Sequence, residues 1–260
     1  LEGTNPNPGT GNVFISRYDG SGTQQWGQQF TLNLSASGRA VSTDSFGNVV
    51  VTGDTTIQKT PFSNTDVFVR KYNSSGVDLW TRQLGTSYGD DAEDVSTDLL
   101  GNVYIAGTTK GNLGETGAEN ILSGAFLAKY NTSGVLQWTE QFGSTTGGAI
   151  GRSVATDLFG NVYIAGNTAG SLGGPNVGGI DVFLAKYDAL GNQQWIEQFG
   201  STNSDSNYDV STDSLGNIYI GGGTGTGGFL AKYDATGELL LTEQFESAGV
   251  NSAIDSLDNI

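Results

Sequence analysis

The chain has 260 residues, among them 41 Gly, 4 Pro, 12 Phe, 10 Tyr and 4 Trp, and its formal net charge is −16. It has no cysteine and no histidine, which excludes disulfides, thiolate chemistry and a Ser-His-Asp triad and removes the commonest zinc ligand. Because the chain is strongly acidic, phosphate backbones and anionic membranes repel it. No apolar segment approaches the roughly 20 residues that are needed to span a bilayer. We therefore expect neither nucleic-acid binding nor membrane insertion.

Short segments rich in β-branched and aromatic residues follow one another along the chain, with Gly and Asn between them. The first two are NVFISRY at 12–18 and TQQWGQQF at 23–30. A set of four follows, consisting of SGRAVSTD at 37–44, GNVVVTG at 47–53, DVFVRKY at 66–72 and VDLWTRQL at 77–84. Variants of these four segments then recur to the end of the chain. This composition is typical of β-strands, and no segment keeps the 3.6-residue period of a helix.

The repeat is clearest in a tryptophan series, in which each member follows a tyrosine by eight residues. Its spacing of 46 to 58 residues indicates a unit of four strands. Turns of the form D-x-x-G-N and Y-[DN]-x-x-G join the strands into two hairpins per unit. One such sheet cannot bury its faces alone, whereas several can stack around an axis, so the sequence predicts a β-propeller of four-stranded antiparallel blades. The series consists of Trp26, Trp80, Trp138, Trp195 and Leu241.

The chain is interpreted as a single propeller domain over 1–260, with five recognisable repeats. A five-bladed ring is the first interpretation, and part of a larger propeller or of a continuous array is the alternative. The repeats lie at about 12–65, 66–124, 125–180, 181–227 and 228–260.

The string AFLAKYNTSGVLQWTEQFGS at 125–144, followed by GRSVATDLFGNVYIAGNT at 151–168, resembles the SBBP repeat of bacterial β-propellers. The resemblance runs through essentially the whole chain and implies a part of a large secreted or surface-exposed protein, without catalytic residues. The hairpin pattern is also similar to NHL-type propellers, in which the strand before D-x-x-G-N is innermost. That likeness implies complete blades at 37–84, 91–142, 150–199 and 206–245, with 12–30 as the outer half of a fifth and 250–260 as its inner start.

Two sets of charged residues recur once per repeat. The acidic set opens the D-x-x-G-N turn, where an aspartate accepts backbone N–H groups, so we predict turn capping and keep a ring of carboxylates as the alternative. For the basic set we predict salt bridges between blades, with Glu140, Glu197 or Glu243 as partners, and keep an anion site as the alternative. The acidic set is Asp44, Asp98, Asp157, Asp213 and Asp255, and the basic set is Arg17, Lys71, Lys129, Lys186 and Lys232.

Acidic residues outside the repeat pattern are candidates for a metal site. Asp90, Asp91, Glu93 and Asp94 place four carboxylates within five residues, and oxygen-rich loops of this kind suit Ca²⁺, which takes 6–8 oxygen ligands. A weaker second cluster is Asp205, Asn207 and Asp209. Solvated loops are the alternative interpretation of both clusters.

No catalytic set emerges, so the expected function is a non-catalytic structural or adhesive module of an extracellular or cell-surface protein or fibre. Its expected partners are further copies of itself or other surface proteins. A lectin-like module with aromatic sugar sites between blades is the alternative. A glycoside-active enzyme is a third possibility, because it would need only a carboxylate pair.

Overall fold

The computed structural model describes residues 11–59, 62–113, 123–144 and 147–246, together with residues 251 and 254. These residues form eighteen β-strands and no helix. The strands make one two-stranded sheet and four four-stranded sheets, all antiparallel and all in chain order. The prediction of an all-β chain built from paired hairpins is confirmed.

The sheets are numbered 1 to 5 along the chain. Sheet 1 contains β1 (Val13–Tyr18) and β2 (Gln24–Phe30), and the four complete sheets cover the ranges predicted for the complete blades. Sheet 2 contains β3 (Ser35–Thr43), β4 (Val49–Lys59), β5 (Phe62–Tyr72) and β6 (Asp78–Leu84), and sheet 3 contains β7 (Asp90–Thr97), β8 (Val103–Thr109), β9 (Gly124–Tyr130) and β10 (Leu136–Phe142). Sheet 4 contains β11 (Ala149–Thr156), β12 (Val162–Thr168), β13 (Asp181–Tyr187) and β14 (Gln193–Phe199), and sheet 5 contains β15 (Ser206–Thr212), β16 (Ile218–Thr224), β17 (Gly227–Tyr233) and β18 (Leu239–Phe245).

The D-x-x-G-N turns are closed by their aspartates, as the turn between β7 and β8 illustrates. Asp98 accepts backbone N–H groups from Leu100 at 3.0 Å and Asn102 at 2.9 Å through one oxygen. Its other oxygen accepts the Asn102 side-chain amide at 2.7 Å and the Tyr104 hydroxyl at 3.2 Å. Gly101 follows at φ 81°, a conformation that favours glycine. Turn capping is confirmed at Asp44, Asp98, Asp157 and Asp213, and Asp255 lies outside the described residues.

The four complete sheets stand side by side with their first strands in contact, in the order β3, β7, β11, β15. Threonines at the ends of these strands link each sheet to the one before. Thr97 donates to the Thr43 carbonyl, Thr156 to that of Thr97 and Thr212 to that of Thr156, each at 3.0 Å. The turns of the first hairpins of all four sheets therefore lie on the same side of the stack.

The apolar core lies between neighbouring sheets. Every residue of β8 and β12, the second strands of sheets 3 and 4, is buried. Ile105 and Phe126 of sheet 3, for example, pack in one cluster with Val50 and Val69 of sheet 2. Because each sheet buries its faces only against its neighbours, stacking is what stabilises the fold.

Ring closure is not observed among the described residues. Sheet 1 consists of β1 and β2 alone, which correspond to the third and fourth strands of the other sheets. The segment 250–260, predicted to begin the inner half of this sheet, lies outside the described residues except for residues 251 and 254. The described part of the chain is thus propeller-like, with a two-stranded sheet at one end of the stack and a four-stranded sheet at the other.

Candidate functional site

Successive sheets meet through one repeated contact, which we call the seam. At the seam between sheets 2 and 3, the Trp80 ring stacks on Tyr130 with a centroid distance of 6.2 Å, and its Nε1 donates to the Thr132 carbonyl at 3.0 Å. Gly134 faces the ring so closely that a Cβ there would lie 2.6 Å from it. Glycine is therefore required both for contact and for its φ of 75°. The same tryptophan–glycine contact joins Trp26 to Gly76, Trp138 to Gly191 and Trp195 to Gly237.

Basic side chains of the repeated set also cross the seam. Lys129 donates to the Ala189 carbonyl and Lys186 to the Ala235 carbonyl, both at 2.7 Å, and Lys71 donates to the Gly101 carbonyl at 2.8 Å. The predicted salt bridges between blades, with Glu140, Glu197 or Glu243 as partners, are wrong for the described residues. Backbone carbonyls in the turns of the next sheet accept hydrogen bonds from these cations instead. The acidic partner, where there is one, is the turn aspartate of the same sheet, as in the Lys71–Asp44 pair.

The Lys71–Asp44 pair is the most deeply buried ion pair found among the described residues. Its atoms are 2.8 Å apart, and the two side chains are only 2% and 0% exposed. Burial alone would raise the pKa of Asp44, but hydrogen bonds from Lys71 and Asn48 outweigh that effect and lower the pKa below its ordinary value. The carboxylate is therefore held ionised inside the fold.

The first sheet presents one half of a seam without its counterpart. Tyr18 is 57% exposed, whereas the equivalent Tyr72, Tyr130 and Tyr187 are each 2% exposed. Phe14 is exposed where its equivalents are buried, and nothing lies within 4 Å of the Cβ position of Gly22, the equivalent of Gly134. The surface of sheet 1 that corresponds to the tryptophan-binding side of the other seams is therefore exposed to solvent.

The last sheet presents the opposite half. Leu241 takes the position of the seam tryptophans and is exposed, as is Phe245 four residues later. Lys232, the equivalent of Lys129, lies 3.7 Å from Asp213 of its own sheet. Sheet 1 and sheet 5 therefore carry the two complementary halves of the seam that joins neighbouring sheets within the stack. We call these two outer surfaces, on sheet 1 and on sheet 5, the open ends.

A cavity of about 1120 Å³ lies beside β1 at the first open end. Its lining includes the apolar side chains of Val13, Ile15, Val49 and Val51, together with Arg17. Among the described residues β1 pairs only with β2, whereas its equivalents β5, β9, β13 and β17 each pair on both sides. This cavity is the place that the first and second strands occupy in sheets 2 to 5.

The four carboxylates predicted to bind calcium have separate hydrogen-bond or ion-pair partners. Asp90 is buried and accepts bonds from Thr86 and Thr109, and Asp91 accepts a bond from Thr65. Glu93 pairs with Arg152 at 3.3 Å, and Asp94 accepts the Val154 N–H at 2.9 Å. No group of three or more His, Cys, Asp or Glu side chains that could hold a metal ion occurs in the described part of the chain. Calcium binding by this set stays a prediction.

Each first strand contains a β-bulge at the same position, which the sequence analysis missed. The bulged residues are Arg39, Glu93, Arg152 and Tyr208. Two of them form the Glu93–Arg152 pair, and Arg39 pairs with Asp54 at 2.6 Å. All four first strands carry the bulge at the same position, so a comparison of the repeats with one another shows no additional residue that could have indicated it.

Asp94 lies directly after the bulged Glu93, at the seam between sheets 3 and 4. Burial raises its pKa to about 6, although it accepts the N–H groups of Val154 and Val95. Its charge is balanced by dipoles alone, so this group supports the seam without forming an ion pair.

The described residues include no helix of the length and apolarity needed to cross a membrane.

Comparisons with known proteins agree with this architecture. Residues 79–115 and 137–173 match the SBBP β-propeller repeat. An uncharacterised WD repeat-containing protein, L264, of Acanthamoeba polyphaga mimivirus is 26% identical over 238 residues, covering 70% of this chain and 17% of that protein. The regulatory protein FlaEY of Caulobacter vibrioides is 26% identical over 156 residues, covering 54% of this chain and 16% of that protein. The chain thus spans about a sixth of the length of each of these curated relatives.

Among solved structures, a protein of unknown function from Dyadobacter fermentans superimposes with a TM-score of 0.50 and 14% identity, over 83% of this chain and 71% of that one. At this identity the likeness concerns the fold alone. The repeated seams, the four-stranded sheets and the family match support one conclusion: the chain carries the SBBP β-propeller repeat, which is recognised at residues 79–115 and 137–173.

Proposed function

We propose that this chain is a non-catalytic structural module, a building unit of an extracellular or cell-surface protein or fibre that joins further copies of its repeat through its open ends. The observation that carries the proposal is the exposure of Tyr18 and Phe14 at one end and of Leu241 and Phe245 at the other. Inside the stack, the side chains equivalent to Tyr18 and Phe14 are buried, and those equivalent to Leu241 and Phe245 are buried or half-buried, between neighbouring sheets. Exposed apolar patches of this kind are typical of interaction sites.

A second exposed apolar surface supports an adhesive role. The first-hairpin turns of all four complete sheets lie on one side of the stack, apart from the open ends. Each turn bears one large, solvent-exposed apolar side chain. These side chains are Phe46, Leu100, Phe159 and Leu215. The only acidic or basic residue within each turn is its aspartate, and that side chain is buried. These tips are therefore an uncharged patch on a strongly acidic protein.

The recurring aromatic side chains favour this proposal over a lectin-like module. A sugar site between blades would need free aromatic faces. Here, the tryptophan rings lie against the turns of the next sheet, and their Nε1 groups donate to carbonyls there. Likewise, the repeated aspartates cap turns, which argues against their use as a catalytic carboxylate pair.

The test is the mass of the chain in solution as a function of concentration, measured by sedimentation velocity. We expect open-ended growth beyond a dimer, because one end of a copy fits the opposite end of the next. Leu241→Asp places a charge in the contact and is expected to leave monomers. Leu241→Trp restores the seam tryptophan and is expected to tighten association by about tenfold through the larger buried area.

Val135→Asp is the matched control, because Val135 is an exposed apolar residue in the turn between β9 and β10 of sheet 3, inside the stack and not at either open end. It should assemble like the unaltered chain. The proposal is contradicted if the chain stays monomeric at every concentration. It is also contradicted if Leu241→Asp leaves the assembly unchanged.

A further inference from the structure

Two carboxylates face each other inside the seam between sheets 4 and 5. Asp181 begins β13 and is 0% exposed, and Asp205 precedes β15 and is 2% exposed. They are 24 residues apart in the chain. Buried charges are costly unless they are paired or bind a metal.

Of the four carboxylate oxygens of the pair, one accepts no hydrogen bond. Asp205 accepts the Ser201 N–H at 2.6 Å and the Ser201 hydroxyl at 3.1 Å. Asp181 accepts the Val177 N–H and the Gln198 side-chain amide through Oδ2, both at 2.9 Å. Its Oδ1 is buried and accepts no hydrogen bond. A fully buried carboxylate oxygen without a protein donor is a binding place for a water molecule or a cation.

Gly200 lies against both carboxylates. A Cβ on Gly200 would lie 2.4 Å from Asp181 Oδ1 and 3.0 Å from Asp205 Oδ2, so only glycine fits at this position. The same two distances limit the separation of these two oxygens to about 5.5 Å or less. Ca²⁺ binds oxygens at about 2.3–2.6 Å, so one ion bridges two oxygens that are up to about 5 Å apart.

No lysine or arginine of the described residues forms an ion pair with either carboxylate. The ion pairs found among these residues involve Asp44, Asp54, Asp78, Glu93 and Asp213. A cavity of about 240 Å³ adjoins the site, and Ser201, Asp205 and Thr224 form the polar part of its mainly apolar wall. Water molecules that complete a calcium shell would bind beside these three residues.

We propose that Asp181 and Asp205 bind a calcium ion between their carboxylates and so join sheets 4 and 5 across their seam. Asp181 Oδ1 and Asp205 Oδ2 supply the charged ligands, and the Ser201 hydroxyl and water supply neutral ones. With two carboxylates, the expected affinity is that of extracellular calcium modules, with Kd about 10⁻⁴–10⁻³ M. Mg²⁺ binds more weakly, because it demands a compact octahedron that this irregular oxygen set does not offer.

The seam between sheets 2 and 3 has the same residue types at the equivalent positions. Asp66, Gly85 and Asp90 correspond to Asp181, Gly200 and Asp205, and a Cβ on Gly85 would again lie 2.4 Å from the Oδ1 of the first aspartate. Asp90, predicted from the sequence as a ligand together with its chain neighbours, thus lies across a seam from Asp66. The experiment therefore counts sites rather than only detecting binding.

Isothermal titration of the full chain with CaCl₂ gives the number of sites, and thermal unfolding in CaCl₂, MgCl₂ or EDTA gives the effect on stability. We expect calcium to raise the Tm and magnesium to raise it less. Asp181→Asn is expected to remove one calcium site per chain. In EDTA this variant should unfold at a higher temperature than the unaltered chain, because one of two facing buried charges is gone. Gly200→Ala, whose Cβ would push the two carboxylates out of place, should remove the same site.

Asp91→Asn is the matched control, since Asp91 lies beside Asp90 in sheet 3, away from the seam between sheets 4 and 5. It should keep the calcium site between Asp181 and Asp205. Absence of calcium binding, or a site count that Asp181→Asn leaves unchanged, would overturn the proposal. So would loss of a site in Asp91→Asn with none lost in Asp181→Asn. None of these results depends on whether the open ends assemble.

Discussion

Replacing Trp80 by alanine is expected to lower the free energy of unfolding by about 3–5 kcal/mol, the usual cost of deleting a buried large aromatic side chain. Trp80 is buried, stacks on Tyr130 and donates its Nε1–H to the Thr132 carbonyl across the seam. Its loss leaves a cavity that Gly134, which has no side chain, cannot fill. Urea unfolding followed by far-ultraviolet circular dichroism measures the change.

Leu241→Ala is the control for the tryptophan series, because Leu241 holds the same position in the last sheet and is exposed. In the monomer its replacement is expected to cost less than about 0.5 kcal/mol, as for most exposed sites. Equal losses for the two variants would show that the seam is not what stabilises this position, and the stacking of sheets would need another explanation.

Lys71→Met is expected to destabilise the chain by about 3 kcal/mol, because it leaves the Asp44 carboxylate buried without its cation. The side chains of both partners are almost fully buried, and Lys71 also donates to the Gly101 carbonyl of the next sheet. Methionine keeps the apolar stem of the side chain and lacks only its terminal ammonium group, so the loss reflects mainly the charge and the donors and not the packing. Urea unfolding at neutral pH measures it.

The cost of Lys71→Met is also expected to depend on pH. The pKa of Asp44 is lowered in the folded chain by its hydrogen bonds with Lys71 and Asn48, against the opposing effect of burial. Its stabilising contribution is therefore complete above the pKa of an unfolded aspartate, about 3.9, and is lost as the pH falls through the lower folded value. The gap between the variant and the unaltered chain should narrow at acidic pH.

The control for the buried pair is Lys232→Met. Lys232 is the repeat equivalent of Lys71, its side chain is 26% exposed, and it lies 3.7 Å from Asp213. A partly exposed pair of this length contributes roughly 0–1 kcal/mol. If Lys232→Met were as costly as Lys71→Met, burial would not be the source of the effect.

Local chemistry made much of the fold predictable from the sequence. The D-x-x-G-N turn needs an aspartate as acceptor and a glycine at positive φ, so Asp98 and Gly101 indicate the hairpin without further information. The constant separation of Trp80 from Tyr72, and of their equivalents, indicates strands of fixed length and register. The blade limits follow once the innermost strand is known.

Contacts between sheets were harder to predict. Lys129 binds a backbone carbonyl, that of Ala189, and every residue carries such a carbonyl, so sequence letters cannot single it out. The four acidic residues from Asp90 to Asp94 are adjacent in the chain but point to different partners, because side chains alternate along a strand and a bulge interrupts that alternation at Glu93. Asp181 and Asp205 meet only because two sheets stack.

The central claim is that one seam repeats through the stack and is left half-formed at both ends. Nitration of tyrosines by tetranitromethane, mapped by mass spectrometry at a concentration where the chain is monomeric, tests it directly. We expect rapid modification of Tyr18 and protection of Tyr72, Tyr130 and Tyr187, which hold the same repeat position but are buried by the preceding sheet. Equal reactivity of these four tyrosines would contradict the account.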